Sequence, residues 1–118
     1  MGIRAGLAVA GALTLALTGT ADATRPSSLT LKPAAVAPGG IINADIYCLR
    51  PSGAGPLATE LTSDGFAGPI PLHYAGDGGT GGIGIALAGS GRAAAKPGRY
   101  TAAFDCWGWI VRAEVTVS

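Results

Sequence analysis

An all-β domain, a sandwich of about seven short antiparallel strands pinned by one inter-sheet disulfide, is the fold class that the 118-residue sequence predicts. Three observations carry it. Apolar residues alternate with polar or small ones along several short runs, a period of two that suits strands and not helices. A Pro-Gly pair opens two of these runs, at Pro38-Gly39 and at Pro97-Gly98. The two cysteines of the chain, Cys48 and Cys106, close the same two runs.

The N-terminus reads as an export signal, so a domain outside the cell is expected. Arg4 is followed by an apolar and small stretch from Ala5 to Gly19, and then by Ala21-Asp22-Ala23. A cation, an apolar run and an A-x-A site are the three parts of a secretory signal. The expectation is a signal peptide over 1–23, cleaved after Ala23, and one domain over 24–118, secreted and extracellular, with no membrane contact after cleavage. The rival, a spanning anchor, needs about 20 apolar residues, and this run is shorter and rich in Gly and Thr. Two cysteines in an exported chain usually pair. A bridge between Cys48 and Cys106 closes a loop of 58 positions, which the chain-entropy model values at about 4 kcal/mol.

Taken in order, Leu29-Thr30-Leu31-Lys32 alternates and stops at Pro33, which suits an edge strand because proline cannot donate to a ladder. Proline presets one central position of a type II turn and glycine supplies the positive φ of the other, so turns over Ala37 to Gly40 and Lys96 to Arg99 announce the runs Ile41 to Cys48 and Tyr100 to Cys106. That run puts Ile42, Ala44, Ile46 and Cys48 on one face and Asn43, Asp45 and Tyr47 on the other. Residues 51–56 are a turn cluster, and Leu57 to Leu61 and Ile70 to Tyr74 are expected as weaker strands, the latter with an edge-type proline at 71. Residues 75–82 read as a glycine-rich connection. Ile83, Ile85 and Leu87 alternate as a fifth strand, followed by a loose stretch from Ala88 to Pro97.

The last two strands specify each other. Tyr100, Ala102, Phe104 and Cys106 share one face, and Trp109, Val111, Ala113, Val115 and Val117 share another. A two-residue turn at Trp107-Gly108 pairs Cys106 with Trp109 and every inward residue with an inward residue. Tryptophan is an unusual first residue for such a turn. A slightly longer loop, with Gly108 left-handed, is the alternative and would carry Trp109 to the other face.

This pattern of Pro38-Gly39, Cys48, Pro97-Gly98-x-Tyr100, Cys106 and a final alternating strand resembles the immunoglobulin-like domains of small secreted bacterial proteins, of the actinobacterial type. The resemblance spans most of 24–118 and implies an immunoglobulin-like β-sandwich whose inter-sheet bridge falls on Cys48 and Cys106. Two positions differ from the antibody pattern: no Trp stands between the cysteines, and Tyr100 lies six residues before Cys106. The chain is also similar to actinomycete chromoprotein-type apoproteins, which carry a small molecule but have two disulfides with short loops.

Composition removes several function classes from consideration. Eight Lys and Arg stand against seven Asp and Glu, and the basic residues are scattered, so nucleic acid is not an expected partner. Two cysteines and the single histidine, His73, fall short of a closed metal set, and no metal or cofactor is expected. Residues 76–81 match G-x-G-x-x-G, but an apolar alternation follows where a nucleotide fold requires a helix. The segment reads as a plain loop, with Asp77 a candidate contact for calcium or carbohydrate. Any histidine-dependent triad must use His73 with Ser52, Ser63 or Ser90, and with Asp64 or Asp77; no spacing brings three such groups together, so catalysis is not expected.

Trp107 is the leading candidate for binding. At a hairpin tip its apolar area either meets a partner or folds back as a lid over the sandwich end. Tyr47, on the outward face of its strand, is a second candidate. The expected function is a secreted, non-catalytic binding or accessory module for an unidentified protein or cell-surface component. The alternatives are an inhibitor or effector acting through the 106–109 tip, and a small-ligand carrier.

Overall fold

The computed structural model describes residues 26–76 and 84–118, so the expected signal segment, Asp77 and most of the glycine-rich connection lie outside the described residues. Among the described residues the regular elements are all strands, and no helix is long and apolar enough to cross a membrane. In chain order they are β1 (Ser28–Lys32), β2 (Ala35–Val36), β3 (Ile41–Leu49), β4 (Glu60–Leu61), β5 (Ile70–Pro71), β6 (His73–Gly76), β7 (Gly84–Arg92), β8 (Gly98–Cys106) and β9 (Trp109–Val117). Sheet I has the order β1-β3-β7-β6, sheet II the order β2-β9-β8, and β4 and β5 form a separate ribbon.

Alternation decides which face each strand buries. Leu29 and Leu31 of β1, Ile42, Ala44, Ile46 and Cys48 of β3, Ala102, Phe104 and Cys106 of β8, and Val111, Val115 and Val117 of β9 belong to one core cluster. Both sheets therefore bury their inward faces against each other, and the Cys48–Cys106 disulfide, with Cα atoms 5.3 Å apart, joins β3 to β8 inside that core. The Ala37 to Gly40 turn forms as expected: the Gly40 N–H donates to the Ala37 carbonyl at 2.9 Å, and Gly39 has φ +75°.

Four expectations need correction. Strand count is the first: there are nine strands in the described residues, and β2 pairs with β9 in parallel, through Thr116 with Ala35 and Val117 with Val36. The chain leaves sheet I at the cis Lys32-Pro33 peptide and joins sheet II within three residues. Second, the Ile70 to Tyr74 run divides. Ile70 and Pro71 pair with Leu61 and Glu60 in the ribbon, while His73 and Tyr74 pair with β7.

Third, the stretch from Ala88 to Arg92 is not loose; β7 pairs with β3 in continuous register from Leu49↔Gly84 to Ile41↔Arg92. Gly89 and Gly91 stand on the inward face, where a Cβ at Gly91 would lie 2.6 Å from Ile70 Cγ1 and one at Gly89 would overlap the Pro71 carbonyl. The ribbon thus packs directly on the backbone of β7, filling space that side chains would otherwise occupy. Fourth, Gly98 is not the left-handed residue of a type II turn. It opens β8, and its missing side chain leaves room for the Tyr100 ring, whose hydroxyl donates to the Lys96 carbonyl at 2.6 Å. Tyr100 ties this corner in place of the turn hydrogen bond.

Candidate functional site

The two-residue turn is real; it takes the folded-back alternative for Trp107 and leaves Trp109, expected in the core, exposed. Register pairs Trp109 with Cys106 and continues to Val117 with Gly98, as the inward-to-inward match requires. Trp107 and Gly108 both take positive φ, +53° and +93°, as a type I′ turn demands. A left-handed tryptophan costs about 1–2 kcal/mol, so its surroundings must hold it. Its indole Nε1–H donates to the Gly55 carbonyl at 2.7 Å, its ring packs on the core, and the Gly108 N–H donates to Asp105 Oδ1 at 2.5 Å. Trp107 is folded back and held, half-buried, over the sandwich end.

Trp109 has the inward parity of Val111, yet it is 69% exposed, the most exposed of the large apolar side chains. It sits at the last register position, next to the turn. Around it lies a groove of about 360 Å³ lined by Pro26, Ser27, Leu49, Arg50, Pro51, Cys106, Trp107 and Trp109. Cys106 is buried and forms the bottom, so the disulfide fixes the groove to the core. The Leu49 N–H donates to Ser27 Oγ at 3.0 Å, which ties the residues before β1 to the end of β3. A second hollow of about 270 Å³, with Leu57, Leu72, Tyr74, Ile85 and Leu87 in its lining, also touches Trp107. The Trp107 indole is thus shared by both hollows.

Tyr47 is on the outward face, as expected, but it is 2% exposed and so presents no contact surface. Its ring lies across Gly84, whose lack of a Cβ makes the space it fills. Asp77 lies outside the described residues. His73 is exposed on β6, while the Ser63 hydroxyl donates to the Thr101 carbonyl at 2.9 Å and the Ser90 hydroxyl to Asn43 Oδ1 at 2.6 Å. Those two hydroxyls bridge strands and loops. Among the described residues no group of three or more His, Cys, Asp or Glu is placed to hold a metal ion.

The lid assignment gives a stability prediction. Trp107→Ala removes a half-buried indole and leaves the Gly55 carbonyl without its donor, and is expected to cost about 2 kcal/mol. Trp107→Phe keeps most of the packing and is expected to cost about half of that. Urea unfolding of the two variants checks both figures. An alanine variant as stable as the parent would refute the lid.

Compared with protein-family models, with curated proteins and with solved structures, the chain matches none.

Proposed function

We propose that this chain is a secreted, non-catalytic binding module with an immunoglobulin-like sandwich, and that it takes its ligand in the groove beside Trp109. The strand neighbours β1-β3-β7-β6 and β2-β9-β8, with a bridge between the second and the penultimate long strands of the core, support the sandwich reading. The single observation that carries the binding reading is the exposure of Trp109. A tryptophan whose parity is inward, left 69% exposed on a rigid hairpin beside an apolar hollow, is a flat surface awaiting a partner. Aromatic anchors of this kind dominate binding energy.

The test uses the neutral fluorophore N-phenylnaphthylamine. Parent protein is expected to bind it with enhanced emission, and Trp109→Ala to weaken binding about thirtyfold, the equivalent of a 2 kcal/mol hot spot. The same variant is expected to unfold within about 0.5 kcal/mol of the parent, because the lost side chain is mostly in water. Equal binding by parent and variant would sink the assignment.

A second reading, contact with another protein through the hairpin end, is favoured by Ile110. It is 43% exposed on the face opposite Trp109, so the hairpin shows apolar area on both sides. A protein partner that grips the hairpin is weakened by Ile110→Asp; a ligand lying in the groove is not.

A further inference from the structure

The lining of the Trp109 groove is chemically lopsided, and the asymmetry names a ligand class. Pro26, Leu49, Pro51, Cys106 and the two tryptophans are apolar or nearly so. Against them stands one charged residue, Arg50, exposed at the rim; no acidic residue lines the groove, and among the described residues no ion pair or side-chain hydrogen bond engages the guanidinium. The acid next to the turn, Asp105, is occupied with the Gly108 N–H and faces outward in the register. Resting on the binding reading above, we infer that the groove takes an amphiphilic anion: a compact apolar body against Trp109 and Leu49, with one carboxylate, sulfonate or phosphate group on Arg50.

Physical chemistry favours this pairing over a neutral ligand. Guanidinium offers a planar fork of donors that matches an oxyanion bidentately, and it is less strongly hydrated than an ammonium, so it gives up water readily beside apolar walls. Ser27 Oγ accepts from Leu49 and retains its own proton to donate to the same oxyanion. The groove lies near the lower end of the roughly 300–1,000 Å³ range of small-molecule sites, room for one ring system or a short branched chain and not for a polymer. The second hollow, on the far side of Trp107, supplies an internal comparison. It is similarly apolar and has no charged residue in its lining.

Two fluorophores that share a ring system separate the ligand class from the existence of the site. Anilinonaphthalene sulfonate carries the anion and N-phenylnaphthylamine lacks it. The parent is expected to bind the sulfonate about tenfold more tightly than the neutral probe, the worth of one charge-assisted hydrogen-bonded contact. Arg50→Gln is expected to abolish that margin by weakening the sulfonate about tenfold more than the neutral probe, while Trp109→Ala weakens both. Raising salt should erode the margin in the parent and not in Arg50→Gln. If Arg50→Gln leaves the sulfonate margin intact while Trp109→Ala still weakens both probes, the anion assignment falls and the binding site stands. If neither probe binds the parent, both fall; if both bind and Trp109→Ala changes neither, both fall as well, and loss of binding in Tyr74→Ala then moves the probes to the second hollow. Circular dichroism and unfolding of each variant confirm that folded protein is compared, since Arg50, Trp109 and Tyr74 are all exposed.

Discussion

Replacing both bridge residues, Cys48→Ala with Cys106→Ala, is expected to lower the free energy of unfolding by about 4 kcal/mol. The figure follows from the loop of 58 positions that the bridge closes, because an unfolded chain released from so long a loop regains much conformational freedom. Alanine is the right replacement. Both sulfurs are buried, at 0% and 3% exposure, and serine would add an unpaired hydroxyl to the cost. A domain of this size has a total stability of roughly 5–14 kcal/mol, so the loss is a large fraction of it. The midpoint of thermal unfolding should fall by about 15–30 °C. Urea titration followed by tryptophan emission measures the change directly, and its slope shows whether the unfolded state has expanded. A loss under about 1 kcal/mol would mean that apolar packing alone holds the sheets and that the bridge is dispensable.

The second large effect belongs to a glycine. Gly89→Ala is expected to cost about 2–3 kcal/mol, although the added group is one methyl. The new Cβ would overlap the Pro71 carbonyl and stand 2.9 Å from Ile70 Cγ2. A backbone carbonyl cannot swing aside as a long side chain can, so either the ribbon lifts from sheet I or β7 bends away from β3. Ile70 is fully buried, and lifting it exposes core. Gly68→Ala, just before the ribbon's second strand, is the control. A Cβ at Gly68 would meet nothing within 4 Å and the φ there is ordinary, so the substitution should be neutral or slightly stabilising by reducing the freedom of the unfolded chain. Equal stability of the two variants would show that the ribbon does not rest on β7.

What could be read from residue order alone divides by physical cause. Parity was legible wherever one face is buried: the faces of β3, β8 and β9, the inward pairing of Cys48 with Cys106, and the register of the last hairpin all follow from alternation. Positions where a missing side chain is the signal were not legible. Gly89 and Gly91 look like a break in a strand, because the side chain that fills their space is Ile70, distant in sequence. The same holds for Gly84 beneath Tyr47, which turns an outward tyrosine into a buried one. β2 gives almost no alternation in two residues, and it exists because the Thr116 N–H donates to the Ala34 carbonyl and the Ser118 N–H to the Val36 carbonyl.

For the candidate site, the hairpin end was legible and the choice of tryptophan was not. Turn preference argues against a left-handed Trp107, and what holds it, the Gly55 carbonyl fifty-two positions away and packing on the core, is not local in sequence. Parity argues for a buried Trp109. Its 69% exposure is set by how the whole sandwich packs at that end, which no single run of residues encodes.

The parallel pairing of β2 with β9 also sets an order on folding. β1 and β3 can meet early, since fewer than twenty residues separate their centres, but β2 must wait beside them until Thr116 and Val117 have been made. Sheet II therefore recruits its third member from a part of the chain made well before β8 and β9. Until β9 is made the pairing edge of β2 stays open, and an unpaired edge is one that a neighbouring chain can join. Completing β9 ends that interval in one step, by seating β2 and burying Val117 together.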